Sequence, residues 1–105
     1  MEYTVHITLT ALAEIERRFA RIRKQAPMGA GRWLERILKA IDSLEQHPQR
    51  CSLAPENDWY DGELRQLIVG KRQSAYRILF EIRGTMIFIL RVRHGAQDLL
   101  PAGEI

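Results

Sequence analysis

The sequence predicts an α+β fold, a two-layer sandwich in which an αα-hairpin covers one face of a mainly antiparallel sheet. Two observations predict it. Two amphipathic helical stripes follow each other in the first half of the chain, and stretches of alternating apolar and polar residues lie before and after them. The expected order is strand–helix–helix–strand–strand–strand, because helices with one apolar stripe each need a sheet face to cover.

At 105 residues the chain is expected to form one domain, residues 1–105. No apolar run approaches the roughly 20 residues of a membrane span, and the first residues, MEYTVHITLT, lack the basic and apolar regions of a signal peptide. The one cysteine, Cys51, cannot form an internal disulfide, which fits a reducing cytoplasm. We expect a cytoplasmic protein with no membrane association, no cofactor and no metal site.

The first strand is expected over residues 3–8, YTVHIT, where Tyr, Val and Ile alternate with polar residues. Either Thr8 or Thr10 can cap the helix that follows. Pro27 disfavours helix at the residue before it, so residues 25–29 are expected to break the helical pattern. The apolar stripe of this first helix consists of Leu12, Ile15, Phe19, Ile22 and Ala26.

The second helix is expected to end before Pro48. Residues 48–62 form a loop whose two prolines and Asn/Asp/Gly pairs indicate turns. Residues 63–69, ELRQLIV, are predicted as the second strand, and residues 70–74 as the loop into the third. The apolar stripe of the second helix consists of Ala30, Trp33 or Leu34, Ile37, Ile41 and Leu44.

The last two strands are predicted to form a hairpin around Gly84, since apolar and polar residues alternate on both arms. A two-residue loop at Arg83–Gly84 would place the two large apolar rows on opposite faces. We therefore predict a three-residue loop, Arg83–Gly84–Thr85, which puts both rows under the helices. The pairs are then Ile82 with Met86, Phe80 with Phe88, Ile78 with Leu90 and Tyr76 with Val92.

This register places cations on the face away from the helices. Arg77 would lie opposite Arg91, with Arg93 two residues further on, and like charges that face each other destabilise a sheet. A bound anion or a partner's carboxylate would bridge the pair; in the alternative, Glu81 and solvent satisfy the arginines. A partner segment or the C-terminal tail, residues 99–101, is expected to cover this face.

The charges are distributed unevenly along the chain, whose net charge is +3. Residues 51–69 hold four acidic side chains against Arg65 alone, whereas residues 70–105 hold six basic and three acidic ones. Thirteen of the sixteen cations are arginine, which suits bidentate contacts with carboxylates and phosphates. This composition indicates a protein that binds an anion or an acidic partner. A solvated arginine-rich surface explains it equally well.

The first helix carries five cations after two glutamates. They are Arg17, Arg18, Arg21, Arg23 and Lys24, and the glutamates are Glu14 and Glu16. The cations could form a nucleic-acid-binding face. The order of acid first and base last complements the helix dipole, however, and favours a solvated helix surface.

His94 ends the last strand beside Arg93. A histidine next to cations can act as an acid or base near neutral pH, but catalysis needs a partner, and Asp98 is the nearest acidic residue in the sequence. The competing interpretation is a histidine that only makes hydrogen bonds at a strand end. The sequence contains no Ser/His/Asp or Cys/His arrangement, no paired-carboxylate site and no glycine-rich phosphate loop.

Two segments, ELRQLIVGKRQSAYRILFEI and ILRVRHGAQDL, resemble the RelE/ParE superfamily of toxins from bacterial type II toxin–antitoxin systems. The resemblance covers most of the chain. It implies the α+β sandwich, a role in growth arrest, and neutralisation by a cognate antitoxin that wraps the toxin in a hetero-oligomer.

The superfamily is divided by target. RelE-like members are ribosome-dependent mRNA interferases, and that endoribonuclease activity would make Arg77 and His94 catalytic. ParE-like members inhibit DNA gyrase and have no nuclease site. This chain has no tyrosine after Tyr76, has Arg65 where RelE proper has paired lysines, and its ILRVRHGAQDL ending is similar to ParE. The expected activity is therefore gyrase inhibition, with mRNA cleavage as the alternative.

We also expect residues of the last three strands and of the loop before the hairpin to bind the antitoxin or the target. The six expected residues are Arg65, Lys71, Arg72, Arg77, Arg91 and Arg93. A third possibility is a decayed toxin that only binds its antitoxin.

Overall fold

The computed structural model describes residues 2–105. The elements run β1 (Thr4–Ile7), α1 (Leu9–Gln25), α2 (Pro27–Asp42), β2 (Leu64–Val69), β3 (Tyr76–Arg83) and β4 (Met86–His94). Short 3₁₀ turns at Ser43–Glu45, Pro48–Arg50 and Pro55–Asp58 divide the connection between α2 and β2, and a fourth, Arg72–Ser74, precedes β3. The α+β class and the predicted order of elements are confirmed. None of the helices in the described part of the chain is long and apolar enough to cross a membrane.

The four strands form one mixed sheet in the order β1–β4–β3–β2. β3 pairs antiparallel with both β2 and β4, whereas β1 runs parallel to β4 at one edge. The connection between this parallel pair is long, as parallel pairing requires, and runs through both helices, β2 and β3. They lie together on one face of the sheet.

Thr8 begins the helical hairpin. Its hydroxyl donates to the carbonyl of Ile89 at 2.7 Å and accepts the N–H of Ala11 at 3.3 Å, so that it caps α1 and ties the cap to β4. α2 begins at Pro27 itself, because proline suits the first helical position, where its missing N–H needs no partner. The link between the helices is thus the single residue Ala26, shorter than the break predicted over residues 25–29.

The core lies between the helices and the sheet. Phe19 and Ile22 pack at its edge as predicted, but Leu12 is 40% exposed, because Ala11 and Ile15 are the α1 residues that point inward. α2 contributes Trp33, Ile37 and Ile41. The sheet contributes Ile78, Phe80, Ile87, Ile89 and Val92.

The register predicted for the β3–β4 hairpin is wrong. The loop consists of Gly84 and Thr85, so Arg83 pairs with Met86 and Ile82 pairs with Ile87. Gly84 has a φ of 60°, the left-handed conformation that a type II′ turn needs at its first central position. Two-residue turns of this type match the twist of the flanking strands, which favours this loop over the predicted three-residue loop.

A β-bulge in β4 changes which side chains face the helices. Phe80 pairs with Ile89 but Leu79 pairs with Arg91, so Leu90 is an extra residue. Because of this insertion, residues on both sides of the bulge, including Ile89 and Val92, reach the core. The prediction that Phe88 and Leu90 face the helices is wrong, because the two-residue loop places Ile87 and Ile89 on that face instead. The bulge, which has no clear signal in the sequence, then returns Val92 to the helix face.

The second face of the sheet carries a smaller apolar cluster. Ala54, Leu64, Leu79 and Leu100 are buried there. Trp59, Tyr60, Leu90 and Ile105 pack around them. The cover consists of the loop before β2 and the C-terminal tail (residues 95–105), so the tail lies over the face where a tail or a partner was expected.

Candidate functional site

Arg77 on β3 is held by Glu56, which comes from the loop before β2. Arg77 Nη1 donates to Glu56 Oε1 at 2.9 Å, and Nη2 donates to Oε2 at 2.6 Å. Nη1 also donates to Gln66 Oε1 at 3.0 Å. Glu56 is only 1% exposed and additionally accepts the backbone N–H of Leu100 at 3.1 Å. The carboxylate that Arg77 requires is thus supplied by the chain itself.

The surroundings of Glu56 keep it ionised. The hydrogen bond from Arg77 lowers the pKa of Glu56 to about 2, against the opposing effect of burial and with help from the N–H of Leu100. Two parallel N–H···O bonds to one carboxylate are a strong and directional form of this contact. At neutral pH the pair is therefore fully charged.

Arg91 faces α1 and the tail. It lies opposite Leu79, so the predicted contact between Arg77 and Arg91 across the strands is wrong. Its Nη2 donates to Glu14 at 2.8 Å, and Glu14 also accepts the backbone N–H of Val92 at 2.8 Å. Its Nη1 donates to the carbonyl of Glu104 at 2.6 Å. Arg91 therefore joins the helix, the last strand and the tail.

Arg93 is the residue that lies opposite Arg77. Its Nη2 donates to the carbonyl of Asp98 at 2.7 Å, while its buried Nε has no hydrogen-bond partner within residues 2–105. Burial lowers the pKa of Arg93, and the charge of Arg91 acts in the same direction. Glu81, the intramolecular partner considered for these arginines, instead accepts from the Tyr60 hydroxyl and from Arg83.

The other cations predicted to bind a partner do not take part in the contacts of Arg77, Arg91 and Arg93. Arg65 donates to the carbonyl of Cys51 at 2.6 Å and pairs with Glu63 at 3.3 Å. Lys71 and Arg72 are exposed in the loop between β2 and β3, where Arg72 has a φ of 55°. Of the six cations predicted to bind a partner, these two alone have side chains that make no hydrogen bond or ion pair within residues 2–105.

His94 lies on the helix side of the sheet. Its ring packs edge-to-face on Tyr76, with 4.9 Å between centroids, and Tyr76 packs in the same way on Trp33, at 5.4 Å. Burial lowers the pKa of His94, as does the charge of Arg18, so the ring is neutral at pH 7. Arg77 points to the opposite side, toward Glu56. The structure therefore does not bring Arg77 and His94 into one site.

A groove, which we term the basic groove, passes Tyr76 and His94 on this side. It consists of two clefts of about 370 and 650 Å³ that share these two residues. One cleft is bounded by α1, and the other by α2 and the loop between β2 and β3. The cations that line the basic groove are Arg17, Arg18, Arg21, Arg36 and Lys71.

The outer face of the helices has a separate apolar cleft of about 390 Å³, which we term the hairpin cleft. It is lined by Leu12, Phe19, Leu34 and Leu38, together with Ile15 and Glu16. Leu12 and Leu38 are each 40% exposed. Among the described residues, no group of His, Cys, Asp and Glu side chains is arranged to hold a metal ion.

Glu56 and Glu14 are the important residues that the sequence reasoning missed. The signal for Glu56 was the charge imbalance between the acidic segment 51–69 and the basic segment 70–105. We interpret that imbalance either as a sign of an anion or acidic partner or as a solvated surface, whereas the acidic segment folds back onto β3. Glu14 was assigned to the helix dipole, and only the packing of α1 on β4 shows its contact with Arg91.

Comparison with known protein families identifies the family of this chain. The model of the family described as "ParE toxin of type II toxin-antitoxin system, parDE" matches residues 5–99, from β1 into the C-terminal tail. The chain belongs to the ParE toxin family. The predicted membership of the RelE/ParE superfamily is thereby confirmed, and it implies that this ParE-family toxin has a cognate antitoxin as its partner.

Two known proteins are similar to this ParE-family chain. Toxin RelE1 of Caulobacter vibrioides is 26% identical over 99 residues, which are 93% of this chain and 99% of that protein. A chain from the chromosomal ParDE toxin–antitoxin system of P. aeruginosa has the same fold, with a TM-score of 0.72 and 19% identity. The structural match covers 89% of this chain and 96% of that one.

Proposed function

We propose that this ParE-family toxin arrests growth in the cytoplasm by inhibiting DNA gyrase, and that its cognate antitoxin neutralises it in a hetero-oligomer. The observation that supports the proposal is the separation of Arg77 from His94 on opposite faces of the sheet. An inhibitor that acts by binding needs no nuclease site, so the separation of these two residues is compatible with gyrase inhibition.

Cleavage of RNA would need the opposite arrangement. Groups that stabilise charge on the reacting phosphate and groups that transfer protons must converge within hydrogen-bond reach of the same bond. The guanidinium of Arg77 is bound by Glu56 and Gln66, at 2.6 to 3.0 Å, beneath the tail. His94 is neutral but packs against Tyr76 on the other side. The two residues would have to leave these contacts before they could act together.

A second candidate function is ribosome-dependent mRNA cleavage with Arg77 and His94 as catalytic residues. It is favoured by the similarity to a protein named Toxin RelE1 and by a neutral histidine at the end of β4. The tail would then have to move away from Arg77, since the N–H of Leu100 shares the carboxylate of Glu56 with it.

The residues predicted to bind the antitoxin or the target divide into two groups. Arg77, Arg91 and Arg93 are engaged with carboxylates or carbonyls of the chain itself, and Arg65 with Cys51 and Glu63. For Lys71 and Arg72, which are exposed, we propose direct contact with a partner protein.

Inducible expression of the chain in bacteria tests the proposal. We expect growth to stop, a reporter plasmid to lose negative supercoiling, and cellular mRNAs to stay intact; co-expression of the antitoxin should restore growth. Arrest with cleaved mRNAs and normally supercoiled plasmid would favour the second candidate. Unchanged growth without the antitoxin would identify a decayed toxin.

A further inference from the structure

The cations of the basic groove approach it from three elements. Arg17, Arg18 and Arg21 come from α1, Arg36 from α2 and Lys71 from the loop between β2 and β3. Nη2 of Arg36 reaches to within van der Waals distance of a Cβ built on Gly70, so it extends from its helix to that loop. Within residues 2–105, none of the five forms an ion pair.

The positive charge of the basic groove is uncompensated. Glu14 is the one carboxylate among the residues that line it, and Glu14 is already bound by Arg91 at 2.8 Å and by the N–H of Val92. Cations collected on one concave surface repel one another and raise the local concentration of anions. The groove thus favours a ligand with several negative charges in a row.

Aromatic groups lie between these cations. Tyr76 occupies the centre of the groove, and the guanidinium of Arg18 lies 5.8 Å from the centroid of its ring. Trp33 and His94 both pack edge-to-face on this ring. A positively charged groove interleaved with aromatic side chains is the arrangement with which many proteins bind nucleic-acid strands.

The basic groove differs from the surface that suits a protein partner. The centres of protein–protein interfaces are depleted in charge, whereas interfaces with nucleic acids are polar and far more positive. The hairpin cleft, lined by leucines and Phe19, matches the first description, and the basic groove matches the second. An acidic polypeptide would need carboxylates as closely spaced as phosphates to satisfy the five cations of the groove.

We propose that the basic groove binds the phosphodiester backbone of a nucleic acid without cleaving it. DNA and RNA share this backbone, so the proposed contacts with phosphates apply to both. The inference goes beyond gyrase inhibition and does not rest on it: the groove can hold a nucleic acid whichever target the chain has.

Fluorescence anisotropy with the purified chain tests this inference. The labelled probes are a DNA duplex, a DNA single strand and an RNA single strand of equal length. Comparison of their affinities shows which of these nucleic acids the chain binds most tightly. We expect the logarithm of the binding constant to fall linearly with the logarithm of salt concentration, with a slope of about 0.7 to 0.9 for each phosphate contact.

Two matched variants test whether the nucleic acid binds in the basic groove. Arg17→Gln/Arg21→Gln removes two exposed cations from the groove, and Lys24→Gln/Arg32→Gln removes two exposed cations of the same helices that do not line it. We expect the groove variant to bind about tenfold or more weakly, with a salt slope smaller by about 1.5. The control variant should lose less than about threefold, through long-range electrostatics alone.

Equal losses in the two variants would overturn the inference, because binding would then follow net charge alone. Lack of binding to all three nucleic acids at low salt would overturn it as well. A labelled poly-glutamate chain that binds more tightly than every nucleic acid and depends on Arg17 and Arg21 would assign the groove to an acidic polypeptide instead. Gyrase supercoiling is measured separately, so its outcome leaves this test unaffected.

Discussion

Arg77 and Glu56 form a bidentate ion pair beneath the C-terminal tail, with N–O distances of 2.9 and 2.6 Å. Arg77 belongs to the central strand β3, and Glu56 to the loop that crosses the second face of the sheet. The N–H of Leu100 bonds the same carboxylate, so that strand, loop and tail meet at one buried group. While the pair is intact, each charge is neutralised by its partner, but either partner alone would be a buried, unpaired charge.

Substitution Glu56→Gln should therefore destabilise the fold. Gln keeps the shape but leaves the guanidinium of Arg77 without its counter-charge, and loss of one partner from a buried pair typically costs about 3 to 5 kcal/mol. Urea denaturation measures the change. The control is Glu63→Gln, which disrupts the more exposed ion pair with Arg65 and should cost less than about 1 kcal/mol. Equal costs for the two variants would show that the Glu56 pair contributes no more than a surface pair.

The stability of the chain should depend on pH through Glu56. Its pKa is about 2 in the folded chain, below the ordinary value of 4.5, so the folded state favours the charged form. This contribution is fully present above pH 4.5 and is lost as the pH falls from 4.5 toward 2, about 3 kcal/mol in all at 1.36 kcal/mol per pKa unit. The measurement is the difference in unfolding free energy between the natural chain and Glu56→Gln at several pH values. A difference that stays constant down to pH 2 would contradict the assignment.

Glu14 should matter more than its neighbour Glu16. Glu14 connects α1 to β4 through Arg91 and the N–H of Val92, and the side chains of Glu14 and Arg91 are only 9% and 16% exposed. Glu14→Gln is expected to cost about 1.5 to 3 kcal/mol, the range for hydrogen bonds to charged groups. Glu16→Gln, at an exposed position of the same helix, is the matched control and should be near neutral. Chemical denaturation of both variants decides whether the contact stabilises the packing of α1 on the sheet.

Two glycine substitutions should have opposite effects. A Cβ at Gly95 would lie 2.8 Å from the carbonyl oxygen of Ala75, too close for any real Cβ, so Gly95→Ala must displace backbone and lower the melting temperature. Gly31 lies within α2 with open space around it, and Gly31→Ala should stabilise the helix by about 0.5 to 1 kcal/mol. Thermal unfolding of the two variants compares them. A neutral Gly95→Ala would show that the chain after β4 is free to move.

The architecture could be predicted from sequence because it depends on local patterns. Helical spacing of apolar residues and period-two alternation indicate the type and order of the helices and strands. Thr8 caps the first helix, and Pro27 suits the first position of the second. The hairpin register could not be predicted in the same way. It depends on the two-residue loop at Gly84 and Thr85, which reverses the faces expected for Phe88 and Leu90, and on the extra residue Leu90, which returns Val92 to the helix face.

The candidate site was predictable only in part. Arg77, Arg91 and Arg93 were identified as cations in need of anions, but the sequence does not show that Glu56 and Glu14, 21 and 77 residues away along the chain, meet two of them. The basic groove was predictable only in part for a similar reason. The sequence offers a nucleic-acid-binding face on α1 as one interpretation but favours a solvated surface that matches the helix dipole, and only the fold adds Arg36 and Lys71 to the same surface.

The most direct measurement of the proposed function uses one preparation of the purified chain in two assays. Purified gyrase converts relaxed plasmid to supercoiled plasmid, and purified ribosomes hold an mRNA whose cleavage is read by primer extension. We predict that supercoiling falls as the concentration of the chain rises, that the antitoxin restores it, and that the mRNA stays intact. Cleavage of the mRNA with supercoiling unaffected would contradict the account.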